Sequence, residues 1–480
     1  MSKTNKNIIL IKPDTDLGKK VHPPLSIMYL GSALKKKGFN PELIHCSKKE
    51  IGKTAKKILN AAPLLVALSV ITGPETLYAA QISKKIKKES DIPILWGGIH
   101  PTLLTEQCIK EDYIDYVCIG EGEETICELA SALQKKQSLK SIKGLAYKNK
   151  KKITISERRP LIKDLDKYRI DFDIFDLKPY LRKASTFKRS ISYMTSRGCP
   201  HSCNFCYNQI FNNSQWRPFS EKIVLEDIEY LKSKYNIDAI YFWDDNFYPN
   251  KKRAFNILEK IGIPAYTEIR IDYLNKNICE KLKKVHSDTL LIGAESGSDK
   301  TLKLINKGFT AAKLKQGIDL LEKYDLGANY SFILGLPTET KKEMYKTIDM
   351  MRYIFRNHKK GSITLGAYIP YPGTKLYRLA IKQGFNPPKR TEDWRIMDRW
   401  YDHIKYPWVD TTFIKRLRGY FLYAKTGIPP FKNIFNYRID HNIFSSPVDI
   451  DLYLKLVDNP HLTRKKLKSL PILGRLYKKY

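Results

Sequence analysis

Three cysteines within a short run carry the sharpest chemical signal: Cys199-Pro200-His201-Ser202-Cys203-Asn204-Phe205-Cys206, or Cys-x3-Cys-x2-Cys. Three thiolates on one loop suit a [4Fe–4S] cluster with one iron left open, because a full set would be four cysteines. An open iron can bind a substrate or a cofactor. A zinc site usually brings a fourth ligand at recognisable spacing, such as a second cysteine pair. The competing reading is a three-cysteine zinc site completed by His201, which stands only two residues from Cys203. The other cysteines, Cys46, Cys108, Cys118, Cys127 and Cys279, are scattered and read as small buried apolar residues.

Two alternations of strand and helix surround this run. In the first, short apolar strands are expected at 7–13, 43–46, 64–70, 92–96 and 113–119, with helices at 25–37, 51–59, 75–88 and 125–133. Continuous apolar strands separated by helices predict a doubly wound, Rossmann-like parallel sheet. Ligands of such sheets sit at the carboxyl ends of the strands. Ser69, Gly97-Gly98 and Gly120-Glu121-Gly122 fall there. The second alternation has candidate strands at 191–196, 239–243, 265–271, 289–294, 330–334 and 363–368. Six such units fit a partial (β/α)6 barrel, whose chemistry belongs on the loops after the strands. The cysteine run follows the first of these strands.

The predicted fold class is therefore α/β. A front domain (1–140) is followed by a connector with a small hairpin (141–185), a barrel (186–390) and a mainly helical, basic and aromatic-rich C-terminal region (391–480). Lys+Arg number 85 against 50 Asp+Glu, a formal charge of +35. That charge suits an anionic partner or lysine-rich solvated faces. The longest uncharged stretch is broken by Asn60, Pro63, Gly73 and Pro74, and no secretion signal is visible, so a cytoplasmic protein is expected.

The cysteine segment resembles the radical S-adenosylmethionine (radical SAM) superfamily. The resemblance implies that Cys199, Cys203 and Cys206 hold a [4Fe–4S] cluster and that its open iron chelates SAM, which is cleaved to a 5′-deoxyadenosyl radical. Phe205 matches the aromatic before the third cysteine. Asp244 and Asp245 stand where the family contacts the SAM amino group, and Arg270 resembles the arginine that meets its carboxylate. Glu295-Ser296 falls in the ribose region and Gly335 near the adenine. The front domain resembles the cobalamin-binding domain of many such proteins, through Ser69, Gly97-Gly98-Ile99-His100 and Gly120-Glu121-Gly122. Asp14-Thr-Asp16-Leu-Gly18 lacks the histidine of the Asp-x-His-x-x-Gly motif, which implies cobalamin bound base-off. The two likenesses together cover about 1–390.

The resemblance implies a cobalamin-dependent radical SAM methyltransferase acting on an unactivated carbon of a small-molecule or lipid-like substrate, with a flavodoxin or ferredoxin as electron donor. Cyclisation, ring contraction or oxidation, as in anaerobic Mg-protoporphyrin cyclase, is the alternative. RNA modification fits less well, because no RNA-binding module accompanies the charge, and a non-enzymatic cobalamin sensor would not need the cysteines. The segment 411–427 mixes aromatic and basic residues. It reads either as a helix packed on the barrel or as a peripheral contact with the inner face of the membrane.

Overall fold

A computed structural model describes residues 5–14, 22–149, 152–184, 187–287, 289–397, 404–427 and 431–457. The front sheet has the strand order Asn40–Cys46, Asn7–Pro13, Leu65–Ser69, Ile94–Gly97, Tyr116–Cys118, all parallel. Ile8, Ile9, Leu10 and Ile11 are all essentially inaccessible, because helices cover both faces of the sheet. The order reverses between Asn7–Pro13 and Leu65–Ser69. Such a switch point opens a crevice at the strands' carboxyl ends.

The hairpin expected in the connector instead belongs to this sheet. Leu145–Asn149 pairs antiparallel with Tyr116–Cys118, and Lys152–Ile155 pairs with Leu145–Asn149. An exposed edge strand beside 116–118 offers free backbone groups, and the hairpin pairs with them.

The second sheet runs Gly361–Ala367, Gly327–Leu334, Thr289–Glu295, Ala265–Glu268, Ala239–Phe242, Phe187–Tyr193, with Arg182–Ala184 as an antiparallel edge. Its six main strands are parallel. Along each strand alternate residues face the helices, as Ile191 with Tyr193 and Ile240 with Phe242 do in the core, and their neighbours face the barrel interior. The connecting helices begin on side-chain caps: Ser220 accepts from Ile223 N (3.3 Å), and Thr340 and Glu343 form a capping box.

The C-terminal region is not a separate appendage. Trp394, in Thr391–Ile396, is buried against the front domain, and its Nε1 donates to Gln107 Oε1 (2.9 Å). Helix Thr411–Thr426 buries Ile414, Leu417, Tyr420 and Phe421, and contacts barrel strand Gly361–Ala367. Its aromatic side therefore faces protein. Arg416 pairs with Asp451 (2.7 Å) in the following helix Val448–Val457. The basic stretch 458–480 lies outside the described residues. No described helix is long and apolar enough to cross a membrane.

Candidate active site

The cysteine loop leaves the barrel after Phe187–Tyr193 and ends at the short helix Asn208–Phe211. Cys203 is buried; Cys199 and Cys206 are half-buried. Gly198 has φ +82°, and a Cβ there would lie 2.0 Å from the carbonyl oxygen of Gln215. Only glycine fits both constraints. Asp244 accepts from Thr195 N (3.1 Å), Thr195 Oγ1 (2.9 Å) and the hydroxyl of Ser196. Asp245 accepts from Gly198 N (3.0 Å), just before the first cysteine, and from the hydroxyl of Tyr207 (3.4 Å), just after the third. Asn246 places its amide 3.8 Å from Cys199 Sγ. Opposite this clamp, Asn204 N donates to Ile305 O (2.9 Å) and Asn306 Nδ2 to Ser202 O (2.8 Å).

The acid pair sits directly against the cysteine loop. Asp244 and Asp245 are taken up by the backbone and hydroxyls of the cysteine loop, so both act first as its clamp. Burial, opposed by those bonds, pushes Asp244 up to about 6. The carboxylate left facing the interior is Glu268, at the end of the next strand. Burial and then the nearby Asp245 push it up to about 8, against Lys307. Lys307 donates to Glu295 Oε1 (2.8 Å), and both are buried. Arg270 is held by Asp272 (3.0 Å) and by the carbonyl of Lys307 (2.5 Å). The mouth thus presents acids beside two cations, a pattern able to seat both an ammonium and a carboxylate.

Glu268 sets a pH dependence. Its folded pKa of about 8 lies above the ordinary 4.5. Between these values the folded chain keeps a proton that the unfolded chain has lost, so stability falls as pH rises through that window. The cofactor-free Glu268→Gln variant is expected to lose less melting temperature between pH 5 and pH 8 than the parent. Parallel melting curves for the two proteins would refute this.

His201 is engaged away from the three cysteines. His201 Nε2 lies 2.8 Å from the hydroxyl of Tyr273, and burial, then Arg270, push the imidazole down to about 4. Among the described residues, no three His, Cys, Asp or Glu are drawn close enough for one ion. Burial pushes the Cys206 thiol up to about 12, so a cationic group is needed to hold it as thiolate. Phe205 is half-buried and packs on the barrel core. Ser296 bonds with the hydroxyl of Thr347 (2.9 Å). The turn at Gly335 (φ +76°) is closed by Glu339 on its N–H (2.8 Å) and by Trp408 on its carbonyl (3.0 Å).

On the front domain, Ser69 and Gly97 are adjacent across their strands, and Ser69 donates to Ser26 (2.9 Å). Gly98 precedes helix Ile99–Leu103, and Gly122 precedes helix Glu123–Lys135. Gly120 N bonds to Thr102 (2.9 Å). These small residues form a low rim able to admit a large flat ligand. His100 lies in helix Ile99–Leu103. It is fully buried, 3.1 Å from Thr72 Oγ1 and edge-on to Trp394, and burial lowers it to about 3.

Glu121 reaches across to the barrel. Its carboxylate pairs with Arg197 (2.9 Å) and Arg217 (2.8 Å) and accepts from Ile162 N (2.7 Å). Glu123 pairs with Arg197 too (2.6 Å). Arg197 stands two positions before Cys199, so the front domain grips the cysteine loop directly. Arg158 adds bonds to the carbonyls of Ile210 and Phe211 (2.6 Å each), just beyond the loop.

Residues 193–351 match the radical SAM superfamily, and residues 16–130 match the B12 binding domain. An uncharacterised methyltransferase of Pyrococcus horikoshii is 32% identical over 81% of this chain and 85% of its own. The chain belongs to the radical SAM superfamily. It is a radical SAM enzyme with a B12-binding domain, of the methyltransferase- or cyclase-like kind. The anaerobic magnesium-protoporphyrin IX monomethyl ester cyclase of Cereibacter sphaeroides is 28% identical, over 74% of this chain and 60% of its own. Two solved structures share the fold. The radical SAM methyltransferase TsrM from Kitasatospora setae, solved with cobalamin and a [4Fe–4S] cluster, has a TM-score of 0.64 at 16% identity, over 84% of this chain and 83% of that one. The cobalamin-dependent enzyme OxsB, with aqua-cobalamin, has a TM-score of 0.69 at 19% identity, over 99% and 76%.

In this radical SAM enzyme Asp244 and Asp245 stand against the cysteine loop, while Ser69 and Gly97 stand side by side at the ends of two front-domain strands. Glu268, Lys307, Arg197 and Arg217 were not legible as site residues. Glu268 stands two residues before Arg270 and Arg197 two before Cys199, but only the assembled strands show what each one meets.

Proposed function

We propose that Cys199, Cys203 and Cys206 carry a [4Fe–4S] cluster, that SAM binds over it, and that the front domain holds base-off cobalamin. The enzyme then methylates an unactivated carbon of a small molecule. The domain limits 1–140, 141–185, 186–390 and 391–480 are part of this reading, with the hairpin of the second segment completing the front sheet. When bound, these groups supply a deoxyadenosyl radical for hydrogen abstraction and a methyl group for transfer, while the protein aligns them and excludes water. One observation supports the reading most: Glu121 and Glu123 of the front rim are ion-paired to the arginine that leads into the cysteine loop. Two cofactors held on these rims would face each other across the substrate. Asp244 and Asp245 hold the loop, and Arg270, Lys307 and Glu268 are positioned to take the amino-acid end of SAM. Ser69, Gly97, Gly98, Gly120 and Gly122 would cradle cobalamin. A flavodoxin or ferredoxin would deliver the electron.

The test is anaerobic reconstitution with iron, sulfide and hydroxocobalamin. Absorbance should show cluster and base-off cobalamin together. Reduction with SAM should give 5′-deoxyadenosine, and with substrate S-adenosylhomocysteine as well. Protein that keeps the cluster but no cobalamin would overturn the front-domain assignment. The likeness to the cyclases favours a second reading, cyclisation or oxidation. That reading requires 5′-deoxyadenosine and product without S-adenosylhomocysteine.

A further inference from the structure

The inner face of the barrel is unevenly built. On Phe187–Tyr193, Ala239–Phe242 and Ala265–Glu268 it carries Ser190, Ser192, Tyr241 and Tyr266, with Trp243 just above. Tyr241 and Tyr266 stack with ring centres 5.7 Å apart, and Tyr241 lies 5.2 Å from Trp243. His22, reaching over from the front domain, lies 4.0 Å from Trp243 and bonds with Ser192 (2.6 Å). Trp243 is nevertheless 43% exposed, an unusual state for a large apolar ring beside a cysteine loop. Across the interior, strands Thr289–Glu295, Gly327–Leu334 and Gly361–Ala367 alternate so that Leu291, Gly293, Ser331, Ile333, Thr364 and Gly366 share the inner face, and none of these is an aromatic ring.

Below the aromatic wall sits a cation. Arg182 is paired with Ser190 across the edge strand, and its guanidinium lies 5.2 Å over the Tyr241 ring. Its Nε is buried with no hydrogen-bond partner. Among the described residues no carboxylate acts on it; the neighbouring groups are Tyr241 and Tyr266. A half-buried guanidinium left without an acid is costly, and a bound anion would offset that cost. The span from the Ser190 level to the Trp243 level is four residues of strand, about 13 Å at ~3.3 Å each.

We propose that this interior is the substrate site and that it takes a planar, unsaturated carboxylic acid. This rests on the function proposed above and names its substrate class. The flat body lies against Tyr241, Tyr266 and Trp243, and the carboxylate meets Arg182. The far end points up toward the cysteine loop. A single planar fork matches a carboxylate better than a phosphate, which usually gathers several donors.

The probes are 2-naphthoate, its neutral analogue 2-naphthamide and the puckered decalin-2-carboxylate, titrated calorimetrically into the reconstituted holoenzyme. Naphthoate should bind saturably and at least about tenfold more tightly than either analogue, in line with a charge-assisted bond at one end. Arg182→Gln should lose that preference for naphthoate over naphthamide, and Trp243→Ala should weaken both. Arg182→Lys should keep part of the preference. Cluster and cobalamin absorbance of each variant reports its folding. Equal binding of naphthoate and naphthamide, or an Arg182→Gln protein that binds naphthoate as the parent does, overturns the proposal. If wild-type holoenzyme cleaves SAM yet shows no preference, this inference alone fails. If it holds no cluster or cleaves no SAM, the proposed function fails first.

Discussion

Replacing Cys199, Cys203 and Cys206 together with alanine will leave the protein without cluster absorbance and without SAM cleavage after anaerobic reconstitution. The chain will still fold. Two of the three thiols are only half-buried. The loop's position also comes from bonds these sulfurs do not make: Asp244 to Thr195, Asp245 to Gly198 and Asn204 to Ile305. Iron should fall to background by chelator assay, and 5′-deoxyadenosine should disappear. The front domain should still take up cobalamin, because none of its rim residues touches the sulfurs. Persistent 5′-deoxyadenosine from the triple variant would remove these cysteines from the chemistry.

Glu121→Ala will be among the most destabilising single substitutions in the chain and will strip the cluster although every cysteine remains. Glu121 is buried between Arg197 and Arg217, which, against the upward push of burial, hold its carboxyl below the ordinary range. Its removal leaves buried guanidinium groups short of a partner, which costs about 3–5 kcal/mol. The exposed pair Lys57–Glu42 is the control. Glu42→Ala should cost less than about 1 kcal/mol, since water screens that pair. Denaturant midpoints measure both, and iron retention after gel filtration reads the loop. Because Arg197 leads directly into Cys199, Glu121→Ala should lose iron faster than Glu42→Ala. Equal midpoints and equal iron would mean that the two domains are joined elsewhere.

Both outcomes depend on a part of the molecule that was unevenly visible beforehand. Cys199, Cys203 and Cys206 are close in sequence, and a metal-binding loop needs only local spacing. The strands too were legible, because burial on both faces demands continuous apolar runs such as Ile8–Ile9–Leu10–Ile11. The hairpin at 145–155 was recognised but placed in a connector. A hairpin's own pattern does not say which sheet edge will accept it. The motif around His100 marks a ligand contact, and only the fold shows that Trp394, far along the chain, packs edge-on against it.

The charge of +35 shows the same division. Composition left nucleic acid, membrane and solvated lysines open. In the folded chain the arginines with the most consequence are inward ones: Arg197 and Arg217 between domains, Arg270 at the mouth and Arg182 inside the barrel.

The sequence by itself determined the cofactor-binding chemistry and the order of the strands, because thiol spacing and hydrophobic period are local properties. Only the tertiary structure decided which carboxylates clamp the loop, which one faces the interior and how the two domains are fastened. Glu121 and Arg197 stand 76 positions apart. No pattern of spacing links them; their pairing exists because two separately folded sheets present their carboxyl edges to each other, where a buried charge must find its counterion.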